Sequence, residues 1–257
     1  FGGLVLEMRS RPSDSQWKGQ ITMGMGWAWF KGMAGDNKAH AHRAIQIVLS
    51  HSPQRVWTSA GWTKGLGILI QSNVFHQLAP SCQPISLIYF EPDSDAGQLM
   101  LAEREESIST LSVDLVRIAL ELLDSGKAES IDFAHFASAI FCANQARAHR
   151  RNDDLIRKVT VELPTPLPEP ITVSHLAKRA GLSVSRFQHR FRAHAGMAVR
   201  PYLRWRRLLL ASSLVLQGSS ITDAALEAGF SDAAHFSNTL RRHFGISPRT
   251  LGSLIPS

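Results

Sequence analysis

Ala177-Lys178-Arg179-Ala180-Gly181-Leu182-Ser183-Val184-Ser185-Arg186-Phe187-Gln188-His189-Arg190-Phe191 and Ala225-Leu226-Glu227-Ala228-Gly229-Phe230-Ser231-Asp232-Ala233-Ala234-His235-Phe236-Ser237-Asn238-Thr239-Leu240 are two copies of one pattern. Each copy is a short helix, a glycine-bearing turn, a capping residue and a longer helix, which is the grammar of a helix-turn-helix. The second turn is one residue longer. Gly181 and Gly229 stand where the first helix must end in a left-handed conformation. Ser183 and Asp232 each precede the anchoring Phe by four residues and are placed to cap the second helix. Phe187 and Phe191, with Val184, mark the inward face of one longer helix; Phe236 and Leu240, with Ala233, mark that of the other.

At about 100° per residue, the opposite face carries Ser185, Gln188, His189 and Arg192 in the first copy. The second copy has Ala234, Ser237, Asn238 and Arg241 there, and Arg186, His235 and Arg242 flank the two stripes. Gln and Asn can grip adenine with paired hydrogen bonds, and Arg can grip guanine or a phosphate. Between the copies, Pro201–Gln217 reads as one helical rod, with proline tolerated in its first turn and Gly218 as its stop. About 16 residues at 1.5 Å per residue span about 24 Å, enough to hold two recognition helices on one face of a duplex, roughly one turn apart. Arg204, Arg206 and Arg207 on the rod are candidate phosphate contacts, or serve only to solubilise it. Residues 171–257 hold twelve Lys and Arg against three acids, a net +9, whereas residues 1–170 carry −2. Such a block attracts polyanions, above all nucleic acid; an ordinary solvated basic surface is the alternative.

Upstream the texture changes. The chain has 257 residues, which allows one large domain or two ordinary ones, and at 44% hydrophobic and 19% charged its balance is globular. Residues 4–92 hold short apolar runs such as Ile21–Phe30, Ile45–Leu49, Gly67–Gln71 and Ile85–Phe90, punctuated by Pro and Gly at Ser52-Pro53, Ala79-Pro80 and Glu91-Pro92. These predict an all-β unit. Leu111, Leu115, Ile118 and Leu122 then repeat at helical spacing up to Ser125-Gly126, and further helices are predicted over 133–150 and 153–161. The stripe is an apolar helix face that needs a cover, such as the chain's own β unit. Proline at 164, 166, 168 and 170 enforces an extended connector.

Within the β unit, His40 and His42 share a strand face, Gln46 follows, and His76 can approach from a neighbouring strand. Three imidazoles suit zinc, nickel, copper or iron, so one divalent transition metal is the candidate cofactor; ordinary histidines lining the fold are the alternative. Trp27, Trp29, Trp57, Trp62 and Phe75 are candidate walls of an effector pocket, or simply core. No apolar run is long enough for a membrane helix, and the start lacks the pattern of a secretory signal. Cys82 and Cys142 form no pairing motif, which fits a reducing cytoplasm. No Ser-His-Asp or Cys-His constellation is evident.

Residues from about 171 to 250 closely resemble the DNA-binding domain of the AraC/XylS family of bacterial transcription regulators. The resemblance rests on Leu176-Ala177 with Gly181-Leu182-Ser183, on Tyr202-Leu203-Arg204-Trp205-Arg206, and above all on Ala228-Gly229-Phe230-Ser231-Asp232, His235-Phe236 and Phe244-Gly245-Ile246-Ser247-Pro248. It implies two recognition helices, starting at Ser185 and Ala234, that enter successive major grooves. The family often has Arg where Asn238 stands, so the second unit is expected to read fewer bases. The His-x-His pattern is similar to that of cupins, with Gln46 in place of their Glu. Together these imply a multidomain α+β chain. Residues 1–97 would be a cupin-like β-barrel that senses an effector, and 98–162 a helical linker and dimerisation segment. Residues 163–170 would be a Pro-rich connector, and 171–257 an all-α domain with two helix-turn-helix units. The expected function is a cytoplasmic homodimeric transcription regulator that binds double-stranded DNA under control of a small-molecule or metal effector, with no membrane association. The alternative is a metal-dependent cupin enzyme, a dioxygenase or isomerase, with a DNA-binding tail; Gln46 argues against it.

Overall fold

In the computed structural model, residues 16–103, 107–125, 132–141, 153–163, 165–167 and 171–254 are described. Cys142, residues 142–150 of the predicted middle helix and half of the proline connector, residues 164 and 168–170, lie outside them. The apolar run Ile21–Phe30 folds back on itself as a hairpin of β1 (Lys18–Gly24) and β2 (Trp27–Met33). Gly26 supplies the positive φ, 80°, that the two-residue turn requires. Strand β3 (Ile45–Thr58) runs straight through Ser52-Pro53, which reads as a break in the sequence. The proline sits where the β3–β4 register shifts between Leu49 and Gln54, and a bulge tolerates its missing N–H. The remaining strands are β4 (Gly61–Ile70), β5 (His76–Leu78), β6 (Ile85–Phe90) and β7 (Ile108–Thr110).

The antiparallel sheet has the order β1-β2-β6-β3-β4-β7, with β5 paired to β3. The ladder thus begins at β1 and ends at β7. β7 lies inside the segment expected to be helical; three residues are too few to leave a period-two signal. Alternate residues feed two cores. Ile45, Ile47, Leu49, Ile88 and Phe90 pack with three helices, α1 (Asp95–Glu103), α2 (Val113–Ser125) and α3 (Phe133–Phe141). Val48, Ile68, Ile70, Ile85 and Leu87 form the core on the other face.

The buried stripe of α2 is Val116, Ala119, Leu120 and Leu123. Leu115 and Leu122 sit at its margin and Ile118 is 37% exposed, so the predicted stripe is rotated by about one residue from the true one.

The C-terminal half is helical: α4 (Asp154–Val161), α5 (Val173–Arg179), α6 (Val184–Ala195), α7 (Val199–Leu216), α8 (Ile221–Glu227), α9 (Ala233–Phe244) and α10 (Pro248–Gly252). The rod α7 joins two small cores. Its Tyr202 and Leu203 pack with Leu176, Phe187 and Phe191 of the first unit. Its Trp205, Leu208, Ala211 and Val215 pack with Ala224, Phe236 and Leu240 of the second. Ile156 and Val159 of α4 complete the first core, and Arg190 donates two hydrogen bonds, 2.6 and 2.7 Å, to the Asp153 carboxylate at the start of α4. Helix α4, read in sequence as part of the middle segment, therefore packs as a member of the first helix-turn-helix unit.

Candidate functional site

The two second helices are built by the capping chemistry their sequences encode. Ser183 Oγ accepts from the Arg186 amide at 3.3 Å, and the turn before it places Gly181 at φ 63°. Asp232 accepts from the His235 amide at 2.7 Å, with Gly229 at φ 81°. That amide, with Ser231, holds the Asp232 carboxyl below the usual carboxylate range. Both helices end on left-handed glycines, Gly196 and Gly245. Phe187, Phe191, Phe236 and Leu240 are buried as the repeat requires; Val184, expected beside them, is 43% exposed.

The outward residues fall into two groups. Ser185, Arg186, Gln188, His189 and Arg192 are exposed on α6, and Ala234, His235, Asn238, Arg241 and Arg242 are exposed on α9. Ser237 is half-buried and donates to Ala233 O at 2.7 Å, so its hydroxyl is committed to its own helix. On the rod, Arg204 is exposed. Arg206 turns inward to donate to Thr160 O at 3.3 Å and Thr165 Oγ1 at 3.5 Å. Arg207 donates to Gly229 O at 3.0 Å and closes the second unit's turn. These two arginines brace the domain, which the sequence pattern did not reveal.

His40, His42 and His76 do come together, all buried, with one candidate ligand nitrogen each within 4.8 Å of the others. His40 and His76 form an antiparallel bridge through two 2.9 Å backbone hydrogen bonds. Each ring aims Nδ1 at a carbonyl: His40 at Lys38 O (2.7 Å), His42 at Ala44 O (2.8 Å) and His76 at Val74 O (2.9 Å). A carbonyl only accepts, so Nδ1 carries the proton and Nε2 presents a lone pair. Burial opposes a second proton: His40 is pushed down to about 4 by burial and by His76, and His42 and His76 are also lowered. Gln46 Oε1 lies 3.0 Å from His42 Nε2 and 3.1 Å from His76 Nε2. The donor set fits a divalent transition metal: lone-pair nitrogens with backbone-oriented rings and an amide oxygen. A cupin enzyme's carboxylate ligand has no counterpart at Gln46.

The expected effector walls do not converge. Trp27 and Trp29 share a strand face but both pack on Phe133, as core. Trp57 meets Phe75 at 6.4 Å, Phe75 is 53% exposed, and Trp62 is 55% exposed beneath Arg55. A cavity of about 470 Å³ instead opens between β3–β4 and α2, lined by Ser50, Leu66, Val113, Val116, Leu120 and Asp124 among others.

Sequence reasoning missed the join between the two halves. Arg43, fully buried, pairs with Glu91 and with Asp93 (2.9 Å), donates to Ala195 O at the end of α6 (3.2 Å), and lies 5.0 Å over the Tyr202 ring. Burial alone would raise the Asp93 carboxyl, but Arg43 holds it below the usual range. Trp205 Nε1 donates to Glu91 Oε1 at 2.6 Å. Phe244 is stacked on both Trp205 (5.6 Å) and His42 (5.5 Å). The Lys38 amide donates to Gly245 O at 3.2 Å. The one available signal was a lone arginine between His42 and the apolar run from Ala44.

Residues 176–252 match the family model described as a helix-turn-helix domain. Over 77 residues the chain is 38% identical to the virulence regulon transcriptional activator VirF of Yersinia enterocolitica, covering 30% of this chain and 28% of that protein. It is 35% identical over 77 residues to the transcriptional regulator ExsA of Pseudomonas aeruginosa, with the same coverage. It is 34% identical over 84 residues to the transcriptional activator RhaS of Escherichia fergusonii, covering 32% of this chain and 30% of that one. The matched stretch thus spans less than a third of these relatives. The crystal structure of an apo ToxT variant from Vibrio cholerae superposes with a TM-score of 0.62 at 8% identity, covering 91% of this chain and 99% of that one. ToxT bound to an unsaturated fatty acid gives 0.56 at 10% identity, covering 95% and 98%. At such identities the likeness is one of fold, and it extends over both halves. Among the described residues no helix is long and apolar enough to cross a membrane.

Proposed function

We propose that this chain, whose residues 176–252 form a helix-turn-helix domain of the AraC/XylS type, binds double-stranded DNA sequence-specifically and regulates transcription. One observation carries the reading: two independently capped helices, α6 and α9, each expose an amide and an arginine, Gln188 with Arg192 and Asn238 with Arg241, and a single rod joins them. Gln188 and Asn238 are the proposed base readers. Ser185, Arg186, His189, Arg192, Arg204, His235, Arg241 and Arg242 are proposed to meet phosphate or flanking base edges. Ala234 has no polar group to offer and contributes only apolar contact. Residues 1–97 form the proposed sensing domain, and 98–162, through α2, the surface for pairing two copies in the cytoplasm. An effector, small molecule or metal, held in the N-terminal half would act on the DNA-binding half through the Arg43–Glu91–Trp205 join.

Selection of a preferred duplex from a random library, followed by affinity measurement on every single-base variant, tests this. Gln188→Ala is expected to cost about 1–3 kcal/mol at one base pair and to relax preference there alone. Arg192→Ala is expected to weaken all duplexes similarly and to reduce the salt slope by about one. A uniform loss for Gln188→Ala would contradict base reading by α6.

A further inference from the structure

Residues 38–43 touch the C-terminal ends of both second helices. Lys38 N–H holds Gly245 O, the cap of α9, and Arg43 holds Ala195 O, the last residue of α6. Between these two grips stand His40 and His42. His42 is stacked on Phe244. His40 abuts Gly245 so closely that a Cβ there would lie 2.8 Å from its Nδ1 and 2.5 Å from Lys38 O.

The histidine cluster itself has an unresolved polarity. With every Nδ1 proton given to a carbonyl, His42 and His76 both point lone pairs at Gln46 Oε1, itself an acceptor. A cation among them removes that conflict. So would the Gln46 amide turned over, with its NH2 donating to both rings and the cluster serving as closed core. Tetrahedral coordination at about 2.0–2.1 Å places ligand nitrogens about 3.3 Å apart, so the rings need close by at most about 1.5 Å from their 4.8 Å limit. Any such closure draws on the chain between the two grips.

We propose that His40, His42, His76 and Gln46 hold a divalent transition-metal ion, and that this ion, by fixing residues 38–43, sets the placement of both helix-turn-helix units. The proposal rests on the DNA-binding reading only for its consequence; the site and the clamp stand on their own geometry.

The test uses the full chain with Zn²⁺ and Co²⁺ as probes. Equilibrium dialysis is expected to give a single zinc ion per chain, and Co²⁺ to develop the visible d–d absorption of a nitrogen-rich site. His76→Ala is expected to lower zinc affinity roughly 100-fold, and Gln46→Glu, which adds a charged oxygen ligand, to raise it about ten-fold. A closed hydrogen-bonded core predicts no stoichiometric zinc and no gain from Gln46→Glu, and either result overturns the site. For the clamp, amide hydrogen exchange is read with and without zinc. Protection is expected at residues 38–43 and at the ends of α6 and α9. Gly245→Ala and Gly196→Ala share a positive φ, but only the first drives a Cβ into the clamp; a Cβ at Gly196 meets nothing within 4 Å. Zinc-dependent protection of α9 should therefore vanish in Gly245→Ala and persist in Gly196→Ala. Protection confined to the histidine loop, or the same behaviour in both variants, overturns the clamp. Zinc uptake with full protection in a chain that binds no duplex would sink the DNA reading and leave this one standing.

Discussion

Arg43→Ala is expected to destabilise the chain by about 3–5 kcal/mol, because it strips the largely buried Glu91 and Asp93 carboxylates of the guanidinium that pairs with both. The guanidinium is fully buried and its partners nearly so. It also supplies the cation over Tyr202 and the donor at Ala195 O. The triple change Arg43→Met, Glu91→Gln and Asp93→Asn removes the charges together and is expected to recover most of the loss, since an apolar or neutral replacement of a buried ion network costs far less than breaking it. Urea unfolding of the full chain measures both. A loss for Arg43→Ala below about 1 kcal/mol would mean that the join is solvated and that the two halves are held by something else.

Phe236→Ala is expected to cost about 3–5 kcal/mol and to abolish binding to the preferred duplex. Phe236 has no exposed surface and packs 5.4 Å from Phe230 in the second unit's core. Its removal opens a cavity beneath α9, and the helix loses the larger of its two buried anchors, Phe236 and Leu240, which fix which residues face outward. Asn238 and Arg241 then lose their register. Denaturant titration gives the stability change, and fluorescence anisotropy with the labelled duplex gives the affinity. Retention of full affinity with the stability loss confirmed would show that α9 takes no part in DNA recognition.

What could be read from the sequence follows from how local its causes are. The double helix-turn-helix was legible because glycine turns, Ser183 and Asp232 caps and Phe spacing all act within a few residues. Strand β6 was legible for the same reason, as an apolar run between turn signals. Strand β7 was not, since it is recruited by β4 and has no pattern of its own. Strand β3 hid behind Ser52-Pro53 because a bulge, which depends on the partner strand, absorbs the proline. The histidine cluster was legible from the His-x-His spacing, although His76 reaches it through the bridge to His40. Arg206 and Arg207 look like Arg204 in sequence; only the packing of α4 and of the second turn turns them inward. The Arg43 join links residues 48 to 152 positions apart, and no window along the chain can register that.

The measurement that bears most directly on the central claim is a hydroxyl-radical and guanine-methylation footprint of the full chain on its preferred duplex. Two helices carried by one rod predict two protected major-groove patches on the same face, roughly ten base pairs apart, with Gln188→Ala and Asn238→Ala each erasing a different patch. A single continuous patch, or patches on opposite faces, would contradict the account.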